Sequence, residues 1–382
     1  MNKLKFMFMS LIDVIIYIFY KLYFFITRVE KNDVWLISER GNDARDNGYC
    51  FYKYMKDKHP EIKVKYIITK NSSDYKKIDE DDVVEYRTKE HYYYFFFAKY
   101  LISAEIMGFS PNERLYYRLN KYGFLKVNGK TIFLQHGIMK DFISYYTKEN
   151  CKVDLFICGA IPEHKYMLEK YGYSNKEVVC TGLARFDNLE NMNKKIILVM
   201  PTWRKFLKYS DTIKDSEFFE AYMKLLNDDE IIAKLDEKKY KLIFYPHILM
   251  QNFLKEFSTK STNVILASFE KFDVQDLLKK SSVLVTDYSS VAFDLAYMRK
   301  KTIYYQFDLE KYRKTQYSDG YFSYEKDGFG PVVFDYETLK QQILDFLENN
   351  KCLNNFDYRI EKFFKSYDKN NCERIYDEII KL

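Results

Sequence analysis

The feature that most constrains this chain is a rhythm. Short apolar runs, each stopped by Gly, Asn or charge, alternate with helix-like stretches of about ten residues. In the first half Val34–Ser38, Val64–Thr69, Tyr100–Ala104, Thr131–Leu134, Leu155–Cys158 and Val178–Cys180 read as strands. In the second half Ile196–Met200, Lys241–Tyr245, Val264–Leu266, Val283–Thr286 and Thr302–Tyr305 do the same. Tyr49–Lys58, Tyr92–Lys99, Asp215–Lys238, Asp273–Lys280 and Ser290–Arg299 read as helices between them. Strands that are apolar on both faces and separated by helices predict βαβ units, hence α/β architecture with covered parallel sheets. Two such blocks in 382 residues predict two Rossmann-like domains facing a cleft. The polar stretch Glu190–Lys195 is the expected boundary, giving domains 29–192 and 193–382. The helical tail Asn355–Leu382 is expected to dock back on the first domain.

Residues Phe6–Ile26 are nearly all apolar or aromatic, interrupted by Ser10, Asp13 and Lys21. About 20 helical residues just cross a bilayer core, but a charge at Asp13 argues against a simple span. No small-residue cleavage site follows the run. Lys3, Lys5 and Lys21 among many Phe and Tyr fit a helix lying in a membrane interface. A buried first helix of the N-terminal domain is the other reading. Residues 1–28 are accordingly assigned as a membrane-associating helical segment, with the body of the protein on the cytoplasmic side at the cell membrane.

Charge adds little. Lys and Arg number 61 against 55 Asp and Glu, a net +6 without any clustered basic stripe, so a nucleic-acid partner is not expected. The six cysteines form no CxxC pair and no zinc-like spacing with histidine, and read as reduced, buried thiols.

Candidate chemistry sits at the ends of strands, where ligands bind in open α/β sheets. His136 and Gly137 follow the run Thr131–Leu134. An imidazole there, with an ordinary pKa of about 6.5, can take a proton from a hydroxyl nucleophile, or it can simply satisfy a loop carbonyl. His247 follows Leu242–Pro246 and is either a donor to a phosphate oxygen or part of a strand-end turn. His59, His91 and His164 lie in polar, helix-like surroundings and read as surface residues. The strand Val283–Thr286 runs through Asp287 and Tyr288 into Ser289 and Ser290, either of which would cap the following helix. Exposed amides and hydroxyls at that point suit a phosphate, and an ordinary N-cap explains the same residues. Arg204, in Pro201-Thr202-Trp203-Arg204, and Arg185, in the loop after Thr181-Gly182, are candidate phosphate clamps.

Together these pieces resemble the CDP-glycerol:poly(glycerophosphate) glycerophosphotransferase family, over about half the chain from Thr131 to Pro331. The most specific is Leu284–Asp294 followed by Phe307-Asp308-Leu309-Glu310-Lys311-Tyr312. Gln135-His136-Gly137, Thr181-Gly182 with Arg185 and Asp187, Pro201–Arg204, Gly320-Tyr321-Phe322 and Gly330-Pro331-Val332 occur in matching order. The resemblance implies a GT-B architecture and transfer of a polyol phosphate from a CDP-linked donor, glycerol phosphate first among them. The acceptor would be a hydroxyl of a lipid-linked teichoic-acid-like or capsular polymer, with CMP released. It implies that His136 is the catalytic base and His247 a donor contact. Arg185, Thr202, Ser289, Ser290 and Asp294 match donor-binding positions, and the strand-end residues Gly137, Arg204 and Thr286 complete the candidate set. No acidic metal motif stands out, so no metal or other cofactor is expected. The chain departs from the family pattern at Gln135, where Trp is usual, and at Ala184, where Pro precedes the Arg. It also places Lys140 one position early and Tyr245 where an Arg is frequent. These differences leave the donor open between CDP-glycerol, CDP-ribitol and another activated polyol. A glycosyltransferase of the same architecture, releasing a nucleoside diphosphate, and an inactive membrane scaffold are the competing readings.

Overall fold

Burial on both faces makes the apolar runs into strands, and a computed structural model shows how they pair. It describes residues 3–27, 32–124, 127–316, 318–349 and 356–382. The side chains of Lys3, Lys5 and the others before Ile12, together with Arg28, Cys352 and Asn355, lie outside the described residues.

In the first block the strands are β1 (Trp35–Ser38), β2 (Val64–Ile67), β3 (Val83–Val84), β4 (Tyr100–Ser103), β5 (Lys130–Phe133), β6 (Leu155–Cys158) and β7 (Val178–Cys180). They form a parallel sheet in the order β3-β2-β1-β4-β5-β6-β7. In the second block β8 (Ile196–Met200), β9 (Lys241–Phe244), β10 (Val264–Leu266), β11 (Val283–Thr286), β12 (Lys301–Tyr305) and β13 (Val332–Val333) form another, ordered β10-β9-β8-β11-β12-β13. Both orders reverse direction at a central strand, β1 and β8, as in doubly wound folds. The helices used below are α1 (Lys3–Ile26), α2 (Asn47–Lys58), α3 (Lys89–Phe97), α4 (Glu113–Lys121), α5 (Ile161–Lys170), α6 (Glu217–Leu226), α7 (Asp229–Lys238), α8 (Val274–Lys280) and α9 (Val291–Tyr297). The expected single helix Asp215–Lys238 is two, because Asp228 turns its carboxylate onto the amides of Glu230 and Ile231 and starts α7.

The chain divides into two units. Unit 1 takes residues up to Ile138, Ser144–Asn188 and Asp368–Leu382; unit 2 takes Met139–Ile143 and Leu189–Tyr367. This differs from a single boundary at 192/193. The tail is shared, its last helix, Asn371–Ile379, lying in unit 1. Asp187 accepts the Asn371 and Cys372 amides at 2.8 Å each, and Tyr376 stacks on Trp35 with ring centroids 5.7 Å apart.

The first helix packs one face into unit 1, as the reading of a buried first helix expects. Tyr17 and Phe24 are buried against α3 and α4, with Tyr17 Oη 2.8 Å from Ser110 Oγ. Asp13, the charge that interrupts the apolar run, accepts from Asn112 Nδ2 at 2.6 Å on that inner face. The outer face is apolar and exposed, with Ile15, Phe19, Leu22, Phe25 and Ile26 each more than half accessible. Among the described residues no helix is long and apolar enough to cross a membrane.

His91 is not the surface residue its polar neighbours suggest. It is fully buried in α3, its Nδ1 accepting from the Arg87 amide at 3.0 Å and its Nε2 facing the Phe109 carbonyl at 2.9 Å. Both ring nitrogens are engaged by the neutral imidazole, and burial pushes its pKa down to about 4. The unfolded chain protonates first as pH falls below about 6.5, so stability present at neutral pH is lost on the way down towards pH 4. Between pH 7 and pH 5 the wild type is expected to lose about 2 kcal/mol more than His91→Gln in urea denaturation. Equal losses in the two proteins would remove His91 as the cause.

Candidate active site

In unit 1 the adjacent strands β1, β4 and β5 end together, and the residues following them converge. His136 lies beyond β5, Glu105 beyond β4, and Glu39 and Arg40 beyond β1. The His136 side chain is 44% exposed, and its Nδ1 stands 3.9 Å from Glu105 Oε1. The backbone that carries it is tightly held. Gln135 has a left-handed φ of 60°, costly for a residue with a Cβ. Its backbone carbonyl accepts from Asn47 Nδ2 at 2.7 Å, and Asn47 Oδ1 accepts the Arg185 amide at 2.9 Å. The Arg185 guanidinium closes the circuit, donating to the His136 carbonyl at 2.7 Å and to Asp46 at 2.8 Å. Arg185 thus belongs to unit 1 with His136 and Gly137, whereas the other expected donor contacts belong to unit 2, and it holds the histidine loop in place.

Beneath this loop Glu39 is buried at the start of α2. The amides of Arg45, Asp46 and Tyr49 donate to its carboxylate at 3.0, 2.7 and 2.9 Å. Burial first, then Asp43 and Asp46, push its pKa up to about 8. Glu113, first residue of α4, is pushed up to about 7 by burial and by the charge of Glu105.

In unit 2 the ends of β9, β8, β11 and β12, neighbours in that order, carry the other candidates. His247 is half-buried, and its Nδ1 accepts the Leu249 amide at 3.2 Å, so the neutral ring holds its proton on Nε2. Thr202 Oγ1 is buried and makes no hydrogen bond among the described residues. Ser289 and Ser290 are half-buried at the start of α9, and Asp294, within that helix, is fully buried.

Two expected donor contacts have other tasks. Thr286 is buried and donates its hydroxyl to the Met200 carbonyl at 2.7 Å, tying β11 to β8. Arg204 is wholly buried. It pairs with Asp287 at 2.8 Å and with Asp308 at 2.6 and 3.0 Å, and donates to the Thr202 carbonyl at 2.7 Å. Tyr288 and Tyr312, stacked on each other with centroids 3.6 Å apart, lie 5.1 and 5.3 Å from the guanidinium carbon. A guanidinium enclosed this way is not a phosphate clamp. It locks together the loops after β8, β11 and β12.

The two most specific sequence motifs, around Asp287 and Asp308, meet on this arginine. Glu105, Asn47 and Arg40 escaped the sequence reading. The signal for Glu105 was present, a carboxylate one residue past the apolar run Tyr100–Ala104. Among the described residues no group of three or more His, Cys, Asp or Glu side chains is placed to hold a metal ion.

Comparison with known proteins follows the same lines. Residues 18–381 match the family described as CDP-Glycerol:Poly(glycerophosphate) glycerophosphotransferase. The minor teichoic acid biosynthesis protein GgaB of Bacillus subtilis (strain 168) is 33% identical over 376 residues, covering 93% of this chain and 40% of the relative. The teichoic acid poly(glycerol phosphate) polymerase of the same organism is 24% identical over 378 residues, covering 89% and 46%. The chain therefore spans less than half the length of these relatives. Among solved structures, the wall teichoic acid polymerase TagF shares the fold with a TM-score of 0.64 at 20% identity, covering 91% of this chain and 88% of that one. A UDP-N-acetylglucosamine 2-epimerase does so with a TM-score of 0.54 at 13% identity, covering 92% and 96%.

Proposed function

The chain belongs to the CDP-glycerol:poly(glycerophosphate) glycerophosphotransferase family, and from that premise we propose that it transfers a polyol phosphate, glycerol phosphate first, from a CDP-linked donor to a polymer hydroxyl. The observation that carries this reading is His136, a half-exposed imidazole on a loop pinned through its backbone at a sheet's carboxyl edge. The base takes the acceptor proton as the acceptor oxygen attacks the phosphorus next to the polyol. The P–O bond to CMP breaks, and CMP leaves with the electron pair. His247 Nε2–H, the Thr202 hydroxyl and the residues at Ser289 and Ser290 are the donor-phosphate contacts in this reading. Arg204 and Thr286 shape that edge from beneath. Metal independence is part of the proposal, since imidazole, hydroxyl and amide donors suffice to neutralise phosphate charge. Purified protein given a glycerophosphate primer and either CDP-glycerol or CDP-ribitol is expected to release CMP, at the same rate in EDTA. Release of a nucleoside diphosphate from a nucleotide sugar instead would favour the glycosyltransferase reading.

The acceptor in this proposal is lipid-linked, and α1 is the surface that meets the cytoplasmic face of the membrane. Its outer stripe, Ile15, Phe19, Leu22, Phe25 and Ile26, is apolar, with Asp13 turned inward to Asn112 and Lys21 exposed beside it. Such a helix lies in the interface rather than crossing it. Wild-type protein is expected to sediment with phosphatidylglycerol vesicles, and Phe19→Glu with Phe25→Glu to stay in the supernatant. Sedimentation of the double variant would contradict this, as would a wild-type dimer that the double variant splits.

A further inference from the structure

We propose that Glu105 is a positioning residue for His136: its carboxylate holds the imidazole with the proton on Nδ1, leaving Nε2 as the base, and faces the imidazolium that forms. The inference deepens the transferase reading above and rests on it for the rate effects.

The geometry is built from three neighbouring strand ends. Glu105 Oε1 lies 3.9 Å from His136 Nδ1, and the same oxygen accepts from Arg40 Nε at 2.9 Å. Arg40 is itself tethered to Asp43 through Nη1 and through its amide, both at 3.2 Å. The Glu105 amide donates to Ser103 Oγ at 3.2 Å, and the Gly108 amide donates to the Glu105 carbonyl at 3.0 Å. A Cβ on Gly108 would stand 2.2 Å from the Glu39 carbonyl oxygen and 2.5 Å from Ser103 Oγ, so this turn closes only with glycine. The carboxylate is therefore fixed on one side by Arg40 and below by its own loop, with His136 on the open side. The other charged groups around it are Glu113 of α4, Asp43, and the Asp46–Arg185 pair under the histidine loop.

His136 Nε2 takes the acceptor hydroxyl proton, the new O–P bond forms as the P–O bond to CMP breaks, and the imidazolium later returns its proton to solvent.

The test combines imidazole 15N NMR on the full chain with kinetics. The His136 signals are assigned by their loss in His136→Asn. Wild type is expected to show the Nδ1–H tautomer, and Glu105→Ala a shift to Nε2–H. In Glu105→Gln, which keeps the shape of the loop, kcat is expected to fall about 10- to 100-fold with donor KM within about twofold, a part of the ~10²–10⁴-fold a positioned base supplies. Glu105→Asp should recover part of that loss. An unchanged His136 tautomer in folded Glu105→Ala, or an unchanged kcat in Glu105→Gln, overturns the proposal. If the wild type releases no CMP from either donor, the transferase reading fails, while the tautomer measurement still decides the Glu105–His136 contact.

Discussion

Replacing His136 by alanine is expected to lower the rate of CMP release by about 10²–10⁴-fold while leaving the protein folded. The loss follows from the role proposed for the imidazole as base. The retained fold follows from how the loop is held. Asn47 grips the Gln135 carbonyl and Arg185 the His136 carbonyl, so the restraints act on backbone rather than on the ring. A half-exposed side chain outside the core should change stability by only about 0.5 kcal/mol. Initial rates and thermal melting on the same preparation check both halves. A rate within threefold of wild type would show that another group takes the proton.

The second large effect falls on stability. Arg204→Met is expected to destabilise unit 2 by about 3–5 kcal/mol, because it leaves Asp287 and Asp308 buried without their cation. For a unit of this size that corresponds to a fall in Tm of roughly 6–20 °C. Adding Asp287→Asn and Asp308→Asn to Arg204→Met should restore part of the loss, since the uncompensated charges are then gone. A donor-phosphate clamp would behave otherwise. Its loss would raise donor KM and leave melting unchanged, and that result would return Arg204 to the binding site.

These two residues mark how far the sequence could be read. His136 and His247 were recognisable because each follows an apolar run, and a strand's end is a local property of the chain. The paired sheets followed from the same alternation. The two-residue strands β3 and β13 did not, since so short a run has no period of its own and exists only through its neighbour. Arg204 looked like a clamp because an arginine after a strand usually faces solvent. Its burial depends on Asp287 and Asp308, which lie far along the chain and meet it only once β8, β11 and β12 pair side by side. His91 was misread for a similar reason, its partner at Arg87 coming from the turn into α3 and its partner at Phe109 from the segment after β4. The family likeness survived these errors because its motifs record the whole arrangement, the buried lock included.

The most direct test of the account follows the phosphorus. CDP-glycerol labelled with 32P on the phosphate next to glycerol is incubated with a glycerophosphate primer and wild-type protein, then with His136→Ala. The account predicts that the label moves into polymer, that the released CMP is unlabelled, and that the transfer fails in the variant. Label retained on a released nucleoside diphosphate, or transfer that proceeds equally without His136, would contradict it.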